Sequence, residues 1–186
     1  MLLALMLSGC SILSEMISFS QCEFRLATVE NITLAGVNVQ HIHKLSDLSL
    51  LDAGRISAAL ISGPLPLSLT LNVDVRNPNQ QQASMNRLDW ILLIDGQEIV
   101  QGSSGERLSI PPNNGTGTLP LHITADLKSA LSGHSGEALL NFGLNLAGAG
   151  NTLSRITLRA NPYIVVGGRE LSYPSFIDIE NEFVSR

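Results

Sequence analysis

LPLSLTLNVDVRNPNQQQASMNRLDWILLIDGQEIVQG, residues 65–102, alternates, stops, and then runs into a two-residue corner. In its first half Leu65, Leu67, Leu69, Leu71, Val73 and Val75 alternate with Pro66, Ser68, Thr70, Asn72, Asp74 and Arg76. Successive side chains of an extended chain point to opposite faces, so this pattern predicts a strand with one face in a core and one in water. Asn77-Pro78-Asn79 ends it, because proline lacks a ladder donor and fixes its own φ, and Asn79 tolerates the left-handed region. The second half predicts a hairpin. Asp95-Gly96 separates residues 88–94 from 97–100, and that pair suits a type I′ turn, in which both central residues need positive φ. Counting back from the turn sets Leu92 opposite Ile99, with Trp90 on the same face.

The same grammar recurs on either side. Residues 106–110 predict another short strand, Pro111-Pro112-Asn113-Asn114-Gly115 turns the chain, and Leu119, Leu121, Ile123, Ala125 and Leu127 alternate again. Farther on, Ile156, Leu158 and Ala160 alternate up to an expected break at Asn161-Pro162. Residues 163–166, a Gly167-Gly168 hairpin and a closing strand with Ile177, Ile179 and Phe183 follow. Upstream, residues 24–29 and 32–39 read as two more strands. Turn signals every 8–12 residues or so between short alternating runs predict a mainly β protein, an antiparallel sandwich or a barrel.

Two segments break the period. In residues 46–62, Leu50, Ala53, Ser57, Leu60 and Ile61 fall on one side at helical spacing, Asp52 and Arg55 lie opposite, and Gly63-Pro64 is a stop, which predicts a helix laid on the sheet. Residues 136–150 satisfy a strand through Leu140, Phe142, Leu144 and Leu146, and a helix through Leu139, Phe142 and Leu146. Ala and Leu dominate there and no β-branched residue occurs, which favours helix.

The 186 residues are 44 % apolar and 15 % charged, enough to bury one substantial core. The net charge is −5 and the eleven Lys and Arg are scattered, so no basic track exists to neutralise a row of phosphates; nucleic acid is not an expected partner. At the N-terminus, Leu7-Ser8-Gly9-Cys10 follows an apolar run and resembles a bacterial lipobox, in which Cys10 becomes the acylated first residue after signal cleavage. Residues 1–17 contain Glu15 and fall short of the ~20 apolar residues that a spanning helix needs. The expected organisation is a signal, lipobox and tether over residues 1–22 and one domain over 23–186. The expected location is extracytoplasmic, anchored at the membrane by the lipid, and Ser11 after the cysteine permits outer-membrane sorting by resemblance to lipoprotein rules. Cys22 has no metal-pair spacing and reads as a small buried hydrophobe.

Little reactive chemistry competes with the turns. Gly133-His134-Ser135-Gly136 departs from the nucleophile elbow at Glu137, so Ser135 reads as part of a polar loop. His41 and His43 project to one face of an extended segment and Asp47 is a conceivable third ligand, but convergence of three or four ligands is what a metal needs, and solvent-facing histidines are expected. Asp89 and Glu98 read as solvated, and Asp95 belongs to its turn. Asn31 and Asn114 begin acceptor tripeptides for glycosylation, a common pattern. Gly148-Ala149-Gly150 lacks the third glycine and the lysine of phosphate loops. No catalytic residue, metal or cofactor is expected.

The order of the Asn77-Pro78-Asn79 stop, LDWILLIDG (88–96), the run to Gly102, and SIPPNNGTGTLPLHITADL (109–127) resembles the late embryogenesis abundant type 2 family. Its domain is also called the water stress and hypersensitive response (WHy) domain. The match is densest over residues 65–127 and looser over 156–183. The resemblance implies an immunoglobulin- or fibronectin-III-like β-sandwich with one or two accessory helices and no enzymatic activity. Family members are linked to desiccation and other stress, and some to membranes or lipids; the helix over residues 46–62 looks like an insertion seen in bacterial members. The expected function is that of a membrane-tethered protective or binding module. The alternative is a carrier for a lipid or other hydrophobic ligand, using a groove between the sheet and the first helix.

Overall fold

The computed structural model describes residues 19, 21–42, 45–146, 155–166 and 169–182. The strands are β1 (Glu23–Leu34), β2 (Val37–Asn38), β3 (Pro66–Asn77), β4 (Ala83–Met85), β5 (Arg87–Ile94), β6 (Gln97–Ser104), β7 (Leu108–Ile110), β8 (Gly115–Asp126), β9 (Arg155–Val166), β10 (Arg169–Ser172) and β11 (Ile177–Glu182). Among the described residues the α-helices are α1 (Leu50–Ser62), α2 (Leu127–Ala130) and α3 (Gly136–Leu146), with a 3-10 turn over Leu45–Asp47 before α1. One antiparallel sheet runs β2-β1-β3-β8, a second runs β10-β9-β5-β6 with β11 also on β9, and β4 pairs with β7. The expected antiparallel sandwich with accessory helices is borne out.

Alternation builds both layers. In β3 every apolar residue from Leu67 to Val75 is buried, and β8 pairs with it from Pro66↔Asp126 to Asn77↔Gly115 without a bulge. Leu119, Leu121 and Ile123 therefore join the same inward face. Across the core, Leu88, Trp90, Leu92 and Ile94 of β5 stand beside Ile156, Leu158 and Ala160 of β9.

Several expectations are corrected. Asp95 (φ 52°) and Gly96 (φ 79°) form the type I′ turn, but Leu92 lies opposite Val100 rather than Ile99. A bulge on β6 supplies one extra residue, and Ile99 uses it to turn into the core, where it is buried. The break expected at Asn161-Pro162 is absent, since β9 runs through it. The Pro162 carbonyl accepts the Tyr173 N–H at 2.9 Å, so its donorless nitrogen faces the same outer edge, at the gap between β10 and β11. The ladder to β5 loses nothing. Residues 24–29 and 32–39 are not two strands: β1 absorbs the first and the start of the second through irregularities around Ala27 and Asn31, and an Ala35-Gly36 turn leads to the two-residue β2. Positive φ falls on Asn113 (60°) and Asn114 (63°), not on Asn79. The strand expected over 106–110 shrinks to β7, and its partner β4 had no alternation long enough to notice.

Residues 136–146 are helical, as the composition favours, while 147–150 and the Gly167-Gly168 hairpin lie outside the described residues. A Cβ at Gly143 would stand 2.9 Å from Leu34, so α3 approaches the end of β1 closely there. The first helix forms where expected but turns a different face inward. Ile56 is buried, with Ala59 and Leu60 half-buried, whereas Leu50 and Ile61 are 94 % and 84 % exposed. Apolar residues occur on both sides of this helix, so periodicity alone does not select the side that packs.

The connections segregate. Among the described residues, α1, α2 and α3 cover the end of the sandwich where β1, β5 and β8 finish, and the Asn77 and Pro111 turns form the opposite end with the start of β1.

Candidate functional site

Phe19 packs at the turn end, beside the start of β1. Phe19 is 3 % exposed, meets Phe24 edge to face with centroids 5.5 Å apart, and its carbonyl accepts the Cys22 N–H at 3.1 Å. Cys22 is buried beside it, and burial pushes its thiol up to about 11, which keeps it protonated and unreactive at neutral pH. Cys10, the expected lipidation residue, lies outside the described residues.

Asn77 organises that end. Its side chain is wholly buried, and Nδ2 donates to the carbonyls of Gln81 (2.8 Å), Ile110 (3.2 Å) and Pro111 (3.2 Å). Oδ1 accepts from the backbone N–H of Asn79 (3.1 Å) and from its side-chain amide (2.9 Å). The Asn77 and Asn79 carbonyls accept from Asn114 and Asn113 at 2.8 and 2.7 Å. One amide thus binds the Asn-Pro-Asn stop to the Pro-Pro-Asn-Asn-Gly turn, two signals that sequence reasoning had treated as separate. Pro78 and Pro112 shape the two corners, and a Cβ at Gly115 would collide with the Pro111 carbonyl. At the other hairpin, Asp95 does more than turn: its Oδ1 accepts from Arg155 N–H at 2.9 Å, and its own N–H donates to the Arg155 carbonyl at 2.8 Å.

At the helical end, Ser49 caps α1, accepting the Asp52 N–H at 3.1 Å and donating to the Asp52 carboxylate at 2.7 Å. The other terminus of α1 is held by Lys128 of α2, whose Nζ donates to the carbonyls of Ala59 (2.7 Å) and Gly63 (2.6 Å). A cation there complements the helix dipole. Asp126 caps α2 and accepts from the Leu65 N–H (2.8 Å), the Lys128 N–H (3.1 Å) and the Ser129 hydroxyl (2.8 Å). Burial pushes its carboxyl up, but these donors outweigh burial and hold it below the ordinary aspartate value. Above this framework, Leu50, Leu51 and Ile61 leave an apolar face of α1 uncovered.

Reactive chemistry is not assembled among the described residues. Ser135 serves as a helix cap, accepting the Ala138 N–H at 3.2 Å, and His134 Nδ1 lies 3.2 Å from the Leu131 carbonyl. His41 and Asp47 are exposed, His43 is outside the described residues, and no group of three or more His, Cys, Asp or Glu among the described residues could hold a metal. The outer sheet faces carry paired charges. Asp74 accepts from Arg25 (Nε 3.1 Å, Nη2 2.8 Å) and from Thr118 (2.8 Å), and these bonds hold its carboxyl low. Arg76 pairs with Glu23, and Arg87 stacks 3.8 Å above the Tyr163 ring near Asp89 and Glu170. Asp89, accepting from the Tyr163 phenol, raises that group's pKa. Between the sheets a void of about 10 Å³, lined by residues such as Phe19, Phe24, Met85 and Ile177, is too small for a lipid chain. No helix among the described residues is long and apolar enough to cross a membrane.

The late embryogenesis abundant protein model, type 2, matches residues 72–172, more than half of the chain. No curated protein matches it in a sequence search. Among solved structures, a protein from Archaeoglobus fulgidus is similar at 15 % identity and a TM-score of 0.37, covering 65 % of this chain and 86 % of its own. An Arabidopsis thaliana protein solved in solution is similar at 16 % identity and a TM-score of 0.38, covering 63 % of this chain and 69 % of its own. The structural likenesses are too loose to carry an argument, so the assignment rests on the family model.

Proposed function

Because the chain belongs to the late embryogenesis abundant type 2 family, we propose that it is a non-enzymatic, stress-related module tethered to a membrane through acylated Cys10 and acting through its surface. The observation that carries this reading is the use made of its most distinctive residues. Asn77, Pro78, Asn79, Asp95, Gly96, Pro111 and Pro112 are all engaged in turns and backbone hydrogen bonds, and the interior they close is apolar and filled. Such a molecule offers faces, not a reaction centre. The family is generally non-enzymatic, which points the same way. The tether is supported by the Leu7-Ser8-Gly9-Cys10 motif, and the extracytoplasmic location follows from it.

The test is twofold. Cells fed labelled palmitate should label the wild-type protein and not Cys10→Ser, and the acylated form should raise survival of its host after drying. Label that survives the substitution refutes the anchor; unchanged survival on deletion refutes the stress role.

A second reading is favoured by the bare face of α1. Leu50, Leu51 and Ile61 would bind an apolar ligand at the surface rather than in an enclosed groove. Native mass spectrometry of protein extracted from its own membranes should then retain lipid, and Ile61→Asp should lose it; an empty wild-type mass counts against this reading.

A further inference from the structure

We infer that Asn114 is a site of spontaneous covalent modification: its side-chain amide is lost through a cyclic imide formed with the Gly115 nitrogen, and the product loosens the turn end of the sandwich. The inference stands apart from the proposed anchor and from the stress role.

Asn114-Gly115 is the only Asn-Gly pair in the chain. Both residues are there because the corner needs them. Asn114 sits at φ 63°, in the left-handed region that asparagine tolerates better than most side chains. Gly115 has no room for a Cβ, which would collide with the Pro111 carbonyl. The same missing Cβ leaves the Gly115 nitrogen uncrowded as a nucleophile. The Asn114 side chain is exposed, so water and hydroxide reach it. The Gly115 N–H donates to the Pro112 carbonyl at 3.3 Å, past the usual range for such a bond, and that bond restrains the nitrogen only weakly.

The reaction needs water alone. Hydroxide takes the Gly115 amide proton, the nitrogen bonds to Asn114 Cγ, and the Cγ–Nδ2 bond breaks as Nδ2 takes a proton from water and leaves as ammonia. Water then opens the imide. Cleavage between Cγ and the nitrogen gives aspartate. Cleavage between the main-chain carbonyl carbon of residue 114 and the nitrogen gives isoaspartate, with the chain running through Cβ and Cγ.

Other positions lack a requirement. Asn77 and Asn161 precede prolines, which have no N–H to lose, and every remaining asparagine precedes a residue whose Cβ crowds the attacking nitrogen. Asp95 also precedes glycine, but its Oδ1 accepts the Arg155 N–H at 2.9 Å, and a carboxylate receives a nucleophile less readily than an amide. The product falls at a sensitive point. The Asn114 N–H donates to the Asn77 carbonyl at 2.8 Å, and Gly115 opens the β8 ladder opposite Asn77. Isoaspartate adds a backbone atom between these two attachments, so Asn77 no longer fits both.

The test holds the folded full chain in mildly alkaline buffer and maps amide loss by peptide mass, with isoaspartate counted by the labelled methyl groups it accepts from an isoaspartyl methyltransferase. Loss at 114 severalfold faster than at any other asparagine is expected, and Asn114→Gln should remove most of the more acidic species. A folded wild type that keeps its Asn114 amide, or loses another asparagine first, overturns the site; loss at 114 only when the chain is held in urea does the same, since the corner then shields the amide. The isoaspartate form, separated by ion exchange, should unfold at lower urea than the unmodified chain, and an equal midpoint overturns the loosening.

Discussion

The indole of Trp90 lies across the backbone of Gly102. The two are cross-strand partners, and a Cβ at 102 would stand 2.9 Å from Cε2 and closer still to Cζ2. Space, not a special φ, demands glycine here. Gly102→Ala should destabilise the fold by about 1–3 kcal/mol through overpacking. Trp90 is the only tryptophan, so its emission during urea unfolding gives the measurement directly; an unchanged midpoint would show that the ring moves aside freely.

Asn77 is the second test. Asn77→Ala removes a side chain that satisfies three carbonyls and two donors, and about 2–4 kcal/mol should be lost. Asn77→Asp should be worse at neutral pH, since a carboxylate would face those carbonyls without a donor to offer. Burial raises the folded-state pKa of such a group, so its penalty is full above that value and shrinks as pH falls through it. Denaturant midpoints of the two variants should converge at low pH.

Asp74 predicts the opposite sign. Hydrogen bonds from Arg25 and Thr118 lower its pKa from 3.8, so its contribution is fully present above 3.8 and is lost as pH falls through the lower folded-state value. Arg25 is 77 % exposed, so screening keeps the contribution near 0.5 kcal/mol. Asp74→Asn should flatten this part of the stability curve below pH 4 or so and leave a small uniform deficit above it.

Pro120 guards an edge. The Leu127 N–H donates to the Leu65 carbonyl at 3.0 Å, and the register from there to Gly115 has no bulge. Odd-numbered residues of β8 therefore bond to β3, and the backbone of even-numbered ones, Pro120 among them, faces the outer edge. Proline there denies a donor to any added strand. Pro120→Thr should leave the folded monomer intact yet raise light scattering on prolonged incubation; unaltered scattering would mean that other features protect this edge.

Pattern made much of this legible. The strict alternation of β3 and β8, the type I′ corner at Asp95-Gly96 and the helix of residues 136–146 follow from local spacing and composition. What escaped depends on which neighbour a group meets. Pro162 looked like a stop because sequence does not say which edge of β9 its nitrogen faces. Ile99 was miscounted because a bulge is decided by the core that receives it. The side of α1 that packs was ambiguous because Ile56 and Ile61 are equally apolar, and the role of Asn77 was hidden because its partners at Ile110 and Pro111 lie more than thirty residues away.

The placement of α1, α2 and α3 together at one end has an engineering consequence. α1, between β2 and β3, and α2, between β8 and β9, lie outside the strand ladders and are fastened to each other through Lys128. A foreign peptide spliced into either crossover would be displayed on a rigid pedestal without shifting strand alignment, which makes this end a natural port for grafted epitopes or sensors.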